Sequence, residues 1–291
     1  MAKTNKVDVY DLINQRIIDA LETGTVPWRM PWKRNTEAPR NLISGKPYRS
    51  INHFLLRSMS YASPHWLTFK QARDLGGHVR KGEKACPVTF WKQWIPADQK
   101  ELPKEAQTQR WLLRHYHVFN VLQCDGIDAS KIPSAPRPSD DFKPLHECER
   151  ILAGMPSPPR VTHQEDRAFY SPREDRVNMP PRERFQCPEA YYGVHFHEHI
   201  HSTMHPTRLD RKMGDGEELA AFGSKDYGRE ELVAELGAAY LSAEANIDAA
   251  TIENSTAYIE GWLKRIREDK QALVKAASHA QRAADYILNR K

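Results

Sequence analysis

The segment His195-Phe196-His197-Glu198-His199-Ile200-His201 contains the pattern H-E-x-x-H, which requires an α-helix around it. Residues four apart on a helix share a face, so the imidazoles of His197 and His201 can bind one metal ion. Glu198 between them then stands where it can take a proton from a metal-bound water. Among 13 histidines in 291 residues the pattern has a real chance of arising by accident. On composition alone it would appear on the order of once in twenty-five such chains, so the context has to decide. Pro188 to Met204 is the expected helix, closed by Pro206, because the residue before a proline avoids helical geometry.

A catalytic zinc ion usually takes three protein ligands and keeps a fourth position for water. The downstream run Arg229-Glu230-Glu231-Leu232-Val233-Ala234-Glu235-Leu236 reads as a helix with Glu231 and Glu235 on one face. Glu231 is the favoured third ligand, in the manner of a gluzincin, with Glu235 accepting a hydrogen bond from the second nitrogen of a ligand histidine. The reverse assignment stays open, and Glu230 is a weaker candidate. His205 continues the stripe of His197 and His201, but the three would span about 12 Å along a straight helix, too far for one ion. A metzincin would place histidine at 207, where this chain has Thr207. His195 and His199 point elsewhere and are expected in the cleft or at the surface. Tyr192, Tyr227 and Tyr240 are the tyrosines that can hold an oxyanion, and the sequence does not choose among them. The alternative is a histidine-rich helix with a structural role only.

The formal net charge of +5 hides an asymmetry. Residues 1–130 carry 20 Lys/Arg against 12 Asp/Glu, residues 131–291 carry 23 against 26, and residues 27–96 hold 13 against 3. Such a basic stretch attracts polyanions, nucleic acid above all, although a solvated basic face has the same composition. Aromatic residues interleave with the cations there. Single-stranded DNA is gripped this way, with bases stacked on rings and phosphates tracked by cations. Trp28, Arg29, Trp32, Lys33, Arg34, Arg49, Lys70, Arg80, Lys81 and Lys84 are the candidate contacts. Phe54, Phe69 and Trp91 are expected in the core instead. No helix-turn-helix, zinc-finger or RNP motif points to base-specific readout.

Helical spacing over Val7–Thr23, Ser50–Met59 and Thr68–Leu75, with strands at Cys86–Trp94 and Trp111–Leu122, makes the first half α+β. Residues 129–144 are proline-rich and form the best linker, separating residues 1–128 from 145–291. Beyond it come a helix in LHECERILAGM, short strands near 160–163, 168–170 and 176–179, and helical stretches at 228–246, 251–267 and 268–289. The strand before the histidine helix is expected as a sheet edge along a cleft. Four cysteines without a C-x-x-C pair read as reduced thiols. With no apolar leader and no apolar stretch of membrane-spanning length, the expectation is a cytoplasmic protein with no membrane partner.

The strings PWRMPW…APRNLISGKPYRSIN…WLTFKQARDLGGHVRKGEKACPVTFWK…YHVFNVLQCDG resemble the N-terminal domain of ArdC-type antirestriction proteins. That domain also occurs in plasmid TraC-type primases and is associated with single-stranded DNA binding. YYGVHFHEHIHSTMHPTRLDR…YGREELVAELGAAYL resembles the zincin-like metallopeptidase domain of the same proteins. The resemblance implies a small α+β nucleic-acid-binding domain followed by a mainly helical, SprT-like metallopeptidase domain with a small sheet. It further implies an antirestriction role, protecting incoming plasmid DNA from host restriction during conjugation. Zn²⁺ would sit on His197, His201 and a glutamate of EELVAEL, with Mn²⁺ or another divalent ion as alternatives, and Glu198 would catalyse. The family often has an apolar residue where His199 stands. The partners implied are single-stranded DNA, duplex DNA bound non-specifically, and a host protein substrate or restriction enzyme. The competing reading is a non-catalytic single-strand-binding protector whose metal site is structural or silent.

Overall fold

The computed structural model describes residues 8–22, 26, 38–59, 61, 63–96, 108–133, 144–185, 187–211, 225–247 and 256–290. The architecture is α+β. Helix α1 (Val9–Glu22) buries Ile13, Ile17 and Leu21, one residue per turn on a single stripe. A four-stranded sheet follows from β1 (Arg40–Asn41), β2 (His65–Leu67), β4 (Cys86–Trp94) and β5 (Arg110–Asn120), in the order β1-β2-β5-β4. β1 runs parallel to β2, and the other neighbours are antiparallel. Helices α2 (Ile51–Arg57) and α3 (Phe69–Asp74) flank it, and β3 (His78–Val79) pairs with β6 (Cys124–Asp125). Thr68 starts α3 with a capping box: its hydroxyl accepts from the Gln71 amide while the Gln71 side chain accepts from the Thr68 amide.

β4 and β5 form a long hairpin in register from Cys86↔Val118 to Trp94↔Arg110. Its inner end is buried through Cys86, Val88 and Val118, but its outer end is exposed. Phe54 lies in the core as expected, whereas Phe69 and Trp91 are 53% and 50% exposed. Phe69 is the first residue of α3, and Trp91 lies in the exposed outer half of β4.

In the second half, α4 (Pro144–Ala153) precedes a three-stranded sheet of β7 (Arg160–Thr162), β8 (Phe169–Ser171) and β9 (Arg176–Asn178). The order is β7-β9-β8, so the strand before the histidine helix is central and not an edge. The reason is the Asn178 side chain, fully buried, which bonds Thr162, the Gln164 amide and the carbonyls of Glu165 and Arg167. It ties the β7–β8 connection onto β9. Helices α5 (Pro188–Ser202), α6 (Lys225–Glu244), α7 (Thr256–Glu268) and α8 (Ala272–Ile287) complete the fold. An alanine-lined stripe of α8 (Ala276, Ala277, Ala280, Ala283, Ala284) is buried against α6, because small side chains let two helices approach closely. One hydrophobic cluster runs through both halves of the sequence, from Ile13 and Phe54 to Phe196, Leu236 and Ile287.

Candidate metal centre

Helix α5 begins with Pro188 in its first turn, where a missing amide hydrogen costs nothing. Almost its entire circumference is covered, with Tyr191, Phe196 and Ile200 fully or nearly fully buried. It crosses α6 so closely that a Cβ at Gly237 would stand 2.5 Å from Ile200 Cδ1. That crossing brings the histidine face of α5 onto the glutamate face of α6. The Nε2 atoms of His197 and His201 are 3.1 Å apart. Glu231 places one carboxylate oxygen 3.5 Å from His197 Nε2 and the other 3.4 Å from His201 Nε2. A ligand atom from each of the three residues lies within 4.8 Å of the other two. Their side chains are 14%, 13% and 20% exposed, so solvent reaches the point where they converge.

Carboxylates also stand behind both rings. Glu235 Oε1 is 3.8 Å from His197 Nδ1, and Glu230 Oε1 is 3.3 Å from His201 Nδ1. Glu230 is itself clamped by Arg211, whose two terminal nitrogens donate to its oxygens at 2.8 and 2.9 Å. Arg211 also donates to Thr203 Oγ1 and to the Ile200 carbonyl, both anchored at the end of α5. Glu230 therefore faces the outer nitrogen of His201, away from the nitrogens that converge. Burial disfavours charge on His201, yet the hydrogen bonds it donates to Glu230 and Glu231 overcome it and push the ring up to about 10. Against its own burial, Glu231 is held far below the usual carboxylate range by hydrogen bonds it accepts from His197 and His201. A divalent cation held between these imidazoles and carboxylates would take the place of the ring protons. Two imidazole nitrogens and a carboxylate also make a donor set suited to zinc or a similar ion. The residues fit the group.

Glu198 is 8% exposed, and its charge is felt by both His197 and His201. His195 and His199 are not in the cleft or at the surface: they are 6% and 1% exposed. The reason is that neighbouring elements cover their side of α5. The two rings meet edge to face at 4.5 Å, and His199 Nδ1 bonds the His195 carbonyl at 2.9 Å. Burial drives His199 down to about 4, so it is neutral packing material. His205 bonds Thr207 at 2.8 Å, beyond the end of α5. Of the tyrosines, Tyr192 donates to Glu149, and Tyr240 packs on Phe54 at 4.6 Å toward the far end of α6. Tyr227 lies where no side chain is described.

Among the sequence-derived DNA contacts, Trp28, Arg29, Trp32, Lys33 and Arg34 lie outside the described residues. Lys70, Lys81 and Lys84 are exposed. Arg80 is exposed but engaged by Glu83 at 2.7 Å, Asp125 at 3.2 Å and the Leu122 carbonyl at 2.7 Å. Arg49 is paired with Asp285 of α8. Trp91-Lys92 and Trp94 lie in the interleaved aromatic-basic run of the sequence, but the candidate contacts drawn from it do not include the outer hairpin. There Phe90, Trp91, Trp94, Trp111 and Tyr116 are 37–63% exposed, amid exposed Lys92, Arg110 and Arg114. An aromatic that alternates in a strand reads as core, and only the missing cover reveals otherwise.

Two families match segments of the chain: the N-terminal domain of anti-restriction factor ArdC over residues 7–119, and a zincin-like metallopeptidase over residues 147–279. A crystal structure of the antirestriction ArdC protein from plasmid R388, metal-free, aligns with a TM-score of 0.76 and 32% identity, covering 98% of this chain and 100% of that one. The chain belongs to the ArdC antirestriction family. A second crystal structure of the R388 protein holds Mn(II) and aligns at a TM-score of 0.75 with 32% identity, over 97% and 98% of the two chains. A protein of Sinorhizobium fredii, y4eC, is 33% identical over 96% of this chain and 91% of its own length. The DNA primase TraC of Escherichia coli is 32% identical over 99% of this chain, which spans 28% of the primase. A second TraC of that species is 31% identical, and the chain spans 20% of it. Among the described residues, no helix is long and apolar enough to cross a membrane.

Proposed function

We propose that this ArdC-family protein is a DNA-associated metallopeptidase that protects incoming plasmid DNA from host restriction. The observation that carries the reading is the convergence of His197, His201 and Glu231 beside a buried Glu198. These three would hold a divalent ion, Zn²⁺ or Mn²⁺, with Glu235 and Glu230 fixing the two histidine rings from behind. When bound, such an ion lowers the pKa of a water and polarises a peptide carbonyl. Glu198 takes the proton of the attacking water and passes it to the leaving amine. Partial exposure of the cluster gives a peptide access to it. A metal site of purely structural purpose has no use for a carboxylate at 198, and this favours catalysis over a silent site.

Residues 1–128 serve as the DNA-binding part and residues 145–291 as the peptidase, acting in the cytoplasm. Single-stranded DNA is the partner supported by the exposed aromatic and cationic side chains of the β4–β5 hairpin and by Lys70, Lys81 and Lys84. The test is an antirestriction assay in cells with wild type and Glu198→Ala, alongside single-strand binding and cleavage of candidate host proteins in vitro. Loss of protection with DNA binding intact is the expected result. Full protection by the variant would leave a binding protein with a silent site.

A further inference from the structure

The register of the β4–β5 hairpin divides its outer half into two unlike faces. Directly opposed residues of an antiparallel pair point to the same side, and successive residues alternate. Phe90 stands opposite Arg114, Lys92 opposite Leu112, and Trp94 opposite Arg110, so these six share one face. Tyr116 joins them opposite Val88, and its ring lies 5.7 Å from that of Phe90. The other face carries Trp91, Gln93, Trp111 and Leu113, with His115 and His117 toward the inner end. Every lysine and arginine of the two strands is therefore on the first face, and the second has none.

Charge makes the first face complementary to a polyanion. Neither strand contains an aspartate or a glutamate, and Lys92, Arg110 and Arg114 are all exposed. Arg49 and Arg80, by contrast, are held by carboxylates. The rings sort the polyanions further. Phe90 and Trp94 are 43% and 46% exposed, each with a guanidinium directly across from it. A duplex hides the flat faces of its bases within its own stack, whereas a single strand offers them to aromatic side chains. At 3.4 Å per residue Phe90 and Trp94 are about 14 Å apart, which makes two separate stacking positions. The ribbon is also held in place. The Asn52 side chain bonds the amide and the carbonyl of Thr89, both at 2.7 Å, where the buried end of β4 gives way to the exposed one.

We propose that this one face of the hairpin is a base-stacking platform for single-stranded nucleic acid. The Phe90–Tyr116 pair takes one base and Trp94 another, while Lys92, Arg110 and Arg114 hold the phosphates around them. Trp91 and Trp111 point the other way and take no part. Stacking uses the flat face that every base has, so the platform accepts any sequence. It rests on the single-strand-binding reading of the first half and gives that reading a face, a set of residues and a mode of contact. It does not rest on the peptidase reading, because none of its residues belongs to the metal cluster.

The test is fluorescence anisotropy of a labelled short oligothymidylate titrated with the full chain, beside an abasic oligonucleotide of equal length that keeps only sugars and phosphates. Phe90→Ala and Trp94→Ala alter the platform, and Trp111→Ala alters the opposite face. All three positions are exposed, and each variant is checked by melting temperature against wild type. Each platform variant is expected to weaken oligothymidylate binding about fivefold or more, with Trp111→Ala staying within about twofold of wild type. Binding of the abasic probe should not change in any of them. Arg110→Gln should instead affect both probes, lowering the log–log salt slope by about 0.7, the share of one phosphate contact on a single strand. No binding of oligothymidylate by the wild-type chain overturns the single-strand reading and the platform together. Wild-type binding that the platform variants leave unchanged overturns the platform alone, and so does an equal loss for the abasic probe.

Discussion

Glu198, Glu230 and Arg211 do different work within one small volume, and single substitutions separate them. Glu198→Gln keeps size and removes the base, so metal content should stay at the wild-type level while peptide cleavage falls by about 10²–10⁴-fold. Metal analysis and a cleavage assay on the same preparation check it, and residual activity near wild type would remove Glu198 from the mechanism. Glu230→Gln acts from behind. It weakens the hydrogen bond that fixes His201 and leaves Arg211, whose side chain is 5% exposed, without its carboxylate. Substitutions of this type commonly weaken metal binding by about 10–100-fold. Competition with a chelator should show that loss in Glu230→Gln even where the fold is intact, and an unchanged affinity would make the Arg211–Glu230 pair a structural brace only. Asp175 offers a pH reading away from the metal. Burial opposes its charge, but hydrogen bonds from Arg208 and Tyr170 hold its carboxyl below the usual range. The folded-state pKa is thus depressed. Its contribution is fully present above the unfolded pKa and is lost as pH falls through the folded one. Asp175→Asn suits the left-handed backbone there (φ 47°) and leaves the 1%-exposed Arg208 side chain without its anion. Denaturation at neutral pH should show a loss of about 2 kcal/mol, shrinking toward pH 3.

The helix pair α5–α6 is the element on which the centre depends, and Gly237 is the position that lets it close. A methyl group there meets three carbons of Ile200 at 2.5–3.0 Å. Gly237→Ala gains helix propensity of about 1 kcal/mol, but overpacking of this kind costs about 1–3 kcal/mol. The helices should shift apart, so the variant should lose metal affinity by more than its change in melting temperature would suggest. Metal affinity equal to wild type would show that Ile200 yields and the crossing does not set the site. Much at this scale was legible in the sequence. Four-residue spacing put His197 with His201 and Glu231 with Glu235, because a helix turns local spacing into a shared face. What spacing could not deliver was contact across long stretches of chain. Arg211 meets Glu230 19 residues away, and no periodicity marks a lone arginine. The burial of His195 and His199 depends on what covers α5, and the central place of β9 depends on the turn that Asn178 ties down. The exposure of Trp91 likewise follows from the outer half of the hairpin standing uncovered among the described residues.

At the scale of the whole molecule, the first helix belongs physically to the last ones. Ile13 and Ile17 of α1 are fully buried in the cluster that also holds Trp262 and Ile266 of α7. Around them Asn14 donates to the Lys270 carbonyl at 2.9 Å, and Lys270 reaches Asp11 at 2.8 Å. Arg267 pairs with Glu22, and Arg49 with Asp285. Exposed ion pairs of this kind add little individually, so the buried isoleucines carry the attachment. A chain whose ends share a core should lose both halves together, despite the proline-rich segment between them. Ile17→Ala removes buried methyl groups at this seam and should cost about 2–4 kcal/mol. Calorimetry can then be compared with two local reports: tryptophan fluorescence, weighted toward the first half, and metal release from the cluster of α5 and α6. One transition is expected, with both signals moving to the same lower temperature. If the variant instead lowers only the fluorescence transition and leaves metal release where it was, the seam is a docking contact between independent units. The proposed DNA-binding surface and the candidate metal centre would then have to communicate through DNA or substrate, and not through the shared core.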